Sequence, residues 1–301
     1  MPSVDSVGGS VAQVSRLVRA RRFLADDELP VSVRSLRQSD LKLHRHEFTE
    51  LVIVLAGSGD HLFDEHRFPI LAGDAFVVDV NHAHGYRDTR DLQIANVLFD
   101  ESWLLEHSPE LAVIPSYQAM VHLEPLARRR LDFGGKLRLD SVAMEEAKGL
   151  LRRLESELAS RREGGVSLAG ALLVELIVLL CRAYCDDGSE QRRDLADIGR
   201  VIAYLEHQYA APIELAQLLE LVAMSERSLL RKFAYATGTT PIQYLLRVRI
   251  AHAARFLRAT NLSVTEIAGR VGFDDSNYFA RQFRQILGAS PTGYRRGAQH
   301  G

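Results

Sequence analysis

The 301-residue sequence predicts an α+β chain of two domains: an all-β N-terminal region followed by a helical hairpin, and an all-α C-terminal region. Three observations carry this expectation. As far as about Phe99 the apolar residues come in short runs between Gly and Asp turn signals. Beyond Ser141 they recur at helical spacing, and from Asp186 to Asp194 the chain is polar throughout. The expected boundaries are therefore 1–185, a linker at 186–194, and 195–301.

The composition, 47% hydrophobic and 25% charged, is that of a globular chain rather than a disordered one. The longest apolar run, Leu168 to Cys181, is interrupted by Glu175 and is shorter than the roughly 20 residues a bilayer span needs, so no membrane span is expected. Met1 to Ser10 lacks the charged start and apolar stretch of a secretory leader, so a cytoplasmic location is expected. The two cysteines, Cys181 and Cys185, lie four apart on one helix and point the same way, which argues against a disulfide or a zinc site. Net charge is −2, but residues 195–301 carry 13 Arg and Lys against 8 acids, +5, which leaves −7 for the rest. A basic tail on an acidic body is the charge pattern of a polyanion-binding module attached to a sensing domain.

Residues 1–40 hold a basic cluster, Arg16, Arg19, Arg21 and Arg22, read as a solvated edge. Strands are expected at Leu51 to Ala56, His61 to Phe63, Ala75 to Val80 and Leu92 to Phe99, with Gly57-Ser58-Gly59-Asp60 and Ala72-Gly73-Asp74 as turns. Ala143, Ala147, Leu150, Leu151, Leu154 and Leu158 then mark a helix; Gly164-Gly165 breaks it, and a second helix runs from about Ser167 to Tyr184. That second helix is apolar on nearly every face, more than one hairpin partner covers, so a subunit contact joining two chains is expected beside packing on its own domain. Further helices are expected at 195–209, 213–222, 226–236, 241–259, 264–270 and 276–287, with a short turn after Pro291.

The last hundred residues contain a repeated unit. Ser263 caps a helix and Glu266 completes a capping box; Gly272 supplies a left-handed turn; Asp274 or Asp275 caps the next helix; and Ile267, Val271, Phe273, Phe279 and Phe283 should share one core. Together these specify a helix-turn-helix. A looser copy runs from Leu215 to Ala236, with Ser225 as cap and Leu229, Leu230 and Phe233 facing inward. Pro241 to Ala259 joins the copies as a rod of roughly 28 Å, close to the roughly 34 Å of one DNA turn.

These features, with Tyr244, Arg247, Arg249 and Ala254 on the joining helix, Val271-Gly272-Phe273 at the turn and Gly288-Ala289-Ser290-Pro291 before Tyr294-Arg295, resemble the AraC/XylS family of transcription regulators over about 95 residues. Asp275-Ser276-Asn277 with Arg227 and Arg231 is similar to the regulators of L-rhamnose operons. The first unit departs from the family pattern, with Leu219 where Ala is common and Ala223 where Gly is common. The resemblance implies promoter DNA and RNA polymerase as partners, a homodimer, and no catalysis or cofactor. Arg227 and Arg231, four apart, share one helix face, and their forks match guanine O6 and N7. Asp275 and Asn277 stand at the start of the second recognition helix, where the resemblance places base contacts; Arg281 and Gln282 follow one turn later as base or phosphate contacts. The plainer reading of all six is that of solvated helix side chains.

His44-Arg45-His46-Glu47-Phe48-Thr49-Glu50 followed by Gly57, and then Asn81-His82-Ala83-His84, resemble the cupin barrel. Metal-binding cupins use two His, a Glu and a later His, here His44, His46, Glu50 and His84. On a strand His44 and His46 share a face and Arg45 takes the other. Three readings stay open: a metal-free pocket for a small sugar or polyol, favoured by the resemblance to sugar-responsive regulators; a divalent transition-metal site; and strand-end histidines with a structural role. Arg45, Glu47, His61, Asn81, His82 and Asn96 are further candidates for the pocket wall. The resulting expectation is a ligand-responsive transcription activator, with a cupin metalloenzyme carrying a nucleic-acid-binding tail as the rival, and an adaptor that binds another protein through the barrel as a third reading.

Overall fold

A computed structural model describes residues 17–18, 30–64, 66–80, 82–128, 136–186 and 190–298. The Arg16, Arg19, Arg21, Arg22 cluster, Asn81 and the middle of the expected linker lie outside the described residues. The chain forms two compact units, one of residues 1–107 and 127–183, the other of 108–126 and 184–301. The division differs from the expected boundaries in two places. Residues 108–126, inside the expected first domain, belong with the C-terminal helices, and a helix begins at Glu190, inside the expected linker. Periodicity reports how a segment folds locally, and these two features depend on which core it joins.

In the first unit the strands are β1 (Leu17–Val18), β2 (Val31–Arg37), β3 (Leu41–His46), β4 (Thr49–Phe63), β5 (His66–Leu71), β6 (Asp74–Val78), β7 (His84–Phe99) and β8 (Leu137–Arg138). They hydrogen-bond in the order β1-β3-β7-β4-β6-β8, with β2 also on β7 and β5 also on β4. The path is strongly curled but ends at β1 and β8, so among the described residues the expected barrel is an unclosed sheet. The Gly57 to Asp60 stretch, expected as a turn between strands, lies within one continuous strand, β4. Gly57 has φ +74°, and a Cβ there would collide with the backbone of Arg90 and Asp91, so glycine permits the pairing with β7 to shift register around it. Val52, Val54, Phe63, Ile70, Phe76, Val78, Tyr86, Leu92 and Ile94 form the core on one face. Residues 49–54 and 74–78 are buried without alternation, so β4 and β6 are covered on both faces there.

Helix α1 (Glu101–His107) follows β7, and the expected hairpin is present as α4 (Ser141–Ser160) and α5 (Gly165–Asp186). Asp140 caps α4 by accepting from the Ala143 N–H, and Met144, Ala147, Leu150, Leu151 and Leu154 form its buried stripe. Residues Gly165–Cys185 of α5 are long and apolar enough to cross a membrane by length and composition. In the fold Leu172, Leu173, Leu176, Ile177 and Leu180 are buried, as in a core helix of a globular unit.

In the second unit a 3-10 turn (Pro109–Val113), α2 (Pro115–Tyr117), a π turn (Gln118–Leu123) and the start of α3 (Glu124–Arg128) pack on α6 (Glu190–His207). Gly199 of α6 lies against the Pro115 carbonyl, an approach that any Cβ would block. Buried Arg192 pairs with buried Glu124 at 3.5 Å. Then come α7 (Leu215–Glu220), α8 (Glu226–Thr237), α9 (Pro241–Ala259), α10 (Val264–Arg270), α11 (Ser276–Leu287) and α12 (Pro291–Ala298).

Candidate functional site

The second unit holds both helix-turn-helix copies. In the C-terminal copy the Ser263 hydroxyl accepts from the Glu266 N–H at 3.2 Å, and the Glu266 carboxylate accepts from the Ser263 N–H at 2.8 Å. Gly272 takes φ +85°. Ile267, Val271, Phe273, Phe279 and Phe283 meet in one buried cluster with Ile250, Ala253, Ala254 and Leu257 of α9. The turn is thus anchored on the joining helix. Arg249 of α9 donates to the carbonyls of Tyr209 and Ala211 at 2.7 and 2.9 Å, so it latches α9 to the loop that follows α6.

The N-terminal copy is built alike. The Ser225 hydroxyl accepts from the Ser228 N–H at 3.3 Å, and Leu229 and Phe233 are fully buried, whereas Leu230 is only half-buried. This face leaves Arg227 and Arg231 exposed one turn apart on α8. On α11, Asp275, Asn277 and Arg281 are exposed and Gln282 is half-buried. The Asp275 carboxylate caps α11 by accepting from the Asn277 N–H at 2.7 Å, so one of its oxygens is already engaged. The Arg281 guanidinium lies 5.8 Å over the ring of exposed Tyr278, which restrains it on the exposed face of α11. Tyr278, one turn before Arg281 on the same face, was not singled out in the sequence.

In the first unit His44 and His46 lie on β3, Glu50 and His61 on β4, and His84 and Tyr86 on β7. Glu50 and His84 meet only because the sheet curls. His84 is the backbone partner of Phe63, 13 positions beyond Glu50 on the same strand, or about 43 Å if that strand were straight. Instead, the Glu50 Oε2 atom lies 3.1 Å from His46 Nε2 and 3.2 Å from His84 Nε2, all three residues being buried. His46 Nδ1 faces the Phe48 carbonyl at 2.7 Å, His84 Nδ1 faces His61 Nε2 at 3.4 Å, and half-buried His44 has its ring 4.3 Å from that of His84.

Of the four residues expected to share this pocket, His46, Glu50 and His84 converge on one point, and His44 stands beside them. Arg45 and Glu47 are exposed, as alternation requires; His61 is in the cluster; and His82 pairs with Asp79 instead. Tyr86, two residues past His84 and hence on its face of the strand, was missed.

Burial holds the His61 imidazole well below its ordinary pKa, with Arg128 and His44 pushing the same way. Burial does the same to His84, helped by His44, His46 and His61, and lowers His44 despite the opposing effect of its Lys42 contact. Burial, and then Glu50, push the Tyr86 hydroxyl well above its ordinary value. Burial thus disfavours the charged forms of His44, His61, His84 and Tyr86, and the cluster sets imidazole and phenol groups beside the Glu50 side chain, a set of donors and acceptors suited to hydroxyl-rich ligands.

Residues 218–297 match the family model described as a helix-turn-helix domain, and residues 32–176 match the AraC-like ligand binding domain. The HTH-type transcriptional activator RhaR of Escherichia coli is 30% identical over 275 residues, 91% of this chain and 94% of that protein. This chain belongs to the AraC family of transcription regulators. RhaR of Yersinia pseudotuberculosis is 28% identical over 281 residues, 93% of each chain. Among solved structures, a probable AraC family transcriptional regulator from Rhodopseudomonas palustris is 31% identical, covering 34% of this chain and 96% of its own, with a TM-score of 0.33. This AraC-family member is accordingly a DNA-binding transcription regulator with a ligand-binding domain, and the metalloenzyme reading is set aside.

Proposed function

We propose that this AraC-family protein is a sequence-specific transcription activator that responds to a small sugar such as L-rhamnose. Arg227, Arg231, Asp275, Asn277, Arg281 and Gln282 contact promoter DNA in this reading, and His44, His46, Glu50 and His84 bind the effector. The observation that carries it is the pair of capped recognition helices, each with its polar face exposed, on one 19-residue strut. At about 28 Å that strut suits two successive major grooves on one side of a duplex. Activation and a sugar effector are supported by similarity to the RhaR activators and by a pocket of imidazole and phenol groups around the Glu50 side chain. A homodimer joined through α4 and α5, and contact with RNA polymerase, complete the scheme. Effector binding then shifts the DNA-binding geometry to the extent that the effector prefers one arrangement over another.

A gel shift with DNA from the neighbouring promoter, with and without L-rhamnose, tests the reading. A specific complex that tightens with the sugar and weakens on Arg227→Ala is the expected result. A complex with wild-type affinity after Arg227→Ala and Arg231→Ala removes the contact assignment. A sugar panel that leaves the melting temperature of the protein unchanged removes the effector class.

A further inference from the structure

We propose that the helical rod of residues 115–128 couples the pocket of the first unit to the DNA-binding helices, with Arg128 as its end on the pocket wall and Glu124, one turn earlier, as its grip on α6. Its use in gene control rests on the effector reading; the coupling itself is tested first without an effector. Residues 115–128 run as one continuous helix, because Tyr117, Gln118 and Glu124, where α2, the π turn and α3 meet, all have right-handed helical angles. Pro125 has no N–H for the carbonyl four residues back and its ring crowds that carbonyl, so the preceding turn widens into π geometry. The chain passes from the second unit to the first within this helix, between Leu126 and Ala127.

At one end the Arg128 side chain is buried, donates to the Val77 carbonyl at 2.9 Å, and sets its guanidinium 5.6 and 5.5 Å from the ring centroids of Phe63 and Phe76. These partners adjoin the pocket. The Phe76 ring is 4.5 Å from that of His61, and Val78, next to Val77 on β6, is the ladder partner of Glu50. A ligand that displaces Glu50 or His61 therefore moves the strand and the ring on which Arg128 is seated, and close packing leaves no slack to absorb the shift. At the other end buried Glu124 pairs with buried Arg192, in the first turn of α6, at 3.5 Å. Two residues on, Asp194 accepts from Lys232 of recognition helix α8 at 2.5 Å, beside Arg231, and farther along α6 Glu206 accepts from Tyr244 of α9 at 3.2 Å. Glu124 and Arg128 are four residues apart, about 6 Å along the axis, so a short stiff span joins the two sets of contacts. A buried charge whose partner shifts must follow it or be left unpaired at high cost, which makes each end a firm hold.

The test is a double-mutant cycle read by hydrogen exchange on the full-length protein without ligand. Arg128→Met should speed exchange at the amides of Ile202 on α6 and Phe233 on α8 by about 5-fold or more. The same change should have no effect there in a background carrying Glu124→Gln and Arg192→Gln, where the grip on α6 has lost its charges. An equal effect in both backgrounds, as a merely structural Arg128 would give, overturns the proposal, and so does no effect in the wild-type background. Leu154→Ala opens a cavity on α4, which packs on β2, and should loosen the first unit without changing exchange at Ile202 or Phe233; a change there as large as that from Arg128→Met also overturns it. Should Arg128→Met fail to fold, Arg128→Lys, which keeps the charge but not the fork, is read under the same criteria. Gel shifts give a second readout. Wild type should bind promoter DNA more tightly with L-rhamnose, and the Glu124→Gln, Arg192→Gln variant should still bind the sugar by calorimetry with that ratio reduced to about 1. A retained ratio overturns the coupling, whereas absence of sugar binding in the wild type removes the effector reading and leaves the exchange cycle to decide the coupling alone.

Discussion

Replacing Gly272 by Ala separates two costs that usually travel together. Gly272 and Gly288 both sit in the left-handed region, at φ +85° and +74°. A Cβ at 272 would stand 2.6 Å from the Ala210 carbonyl oxygen and 3.0 Å from Arg249 Cζ, whereas at 288 it would meet nothing within 4 Å. Both substitutions therefore incur left-handed strain of about 1–2 kcal/mol. Only Gly272→Ala also crowds its neighbours, an overpacking cost of about 1–3 kcal/mol, because the Arg249 bonds to Tyr209 and Ala211 keep the Ala210 carbonyl from retreating. Gly288→Ala should thus cost about 1–2 kcal/mol and Gly272→Ala about 2–5 kcal/mol. Hydrogen exchange at the amides of Phe279 and Phe283, which open with the helix-turn-helix core, reports the difference on the intact chain. Exchange about 5- to 150-fold faster in Gly272→Ala than in Gly288→Ala is expected, from about 1.4 kcal/mol per tenfold. Equal rates in the two variants would refute the claim that contact with the Ala210 backbone dictates glycine at the turn.

Arg227→Ala and Arg231→Ala should each reduce affinity for the specific site by about 1–3 kcal/mol without altering helical content, checked by gel shift and circular dichroism. Asp275→Ala should destabilise α11 by about 0.5–2 kcal/mol through loss of its cap, whereas Asp275→Asn keeps the cap; a DNA-affinity loss in the Asn variant isolates base contact from capping. His252, stacked on Tyr209 with ring centroids 3.8 Å apart, has its pKa lowered by burial, and then by Arg255, to about 4. The unfolded chain therefore binds the proton first, so this contribution is intact above about pH 6.5 and is lost as pH falls toward 4. Urea unfolding against pH should show a smaller decline over that window in His252→Gln. The affinity for DNA should also fall linearly in logarithmic terms with salt; a flat salt response would leave no role for arginine–phosphate pairing.

Much of the DNA-binding unit was legible because its signals are local. The Ser263–Glu266 capping box, the Gly272 turn, the Asp275 cap and the Pro241–Ala259 helix each depend on residues within a few positions of one another, and each stands where the pattern placed it. The His44, His46, Glu50 spacing likewise marked the pocket. Less legible were the features that depend on register. Nothing near Gly57 distinguishes a bulge in a continuous strand from a reversal of chain, and Tyr86 could be found only by carrying the face of His84 two residues onward.

What the sequence alone determined is a strand-rich region to about Phe99, a hairpin of helices, and two capped helix-turn-helix units on one strut. Tertiary structure decided that residues 108–126 pack on α6, that β4 passes unbroken through Gly57, and that Glu50 meets His84 across a curled sheet. Helix caps and periodicity are short-range and written in adjacent residues. Strand register, bending and the choice of core are settled by contacts between residues tens of positions apart, whose free energy no single segment carries.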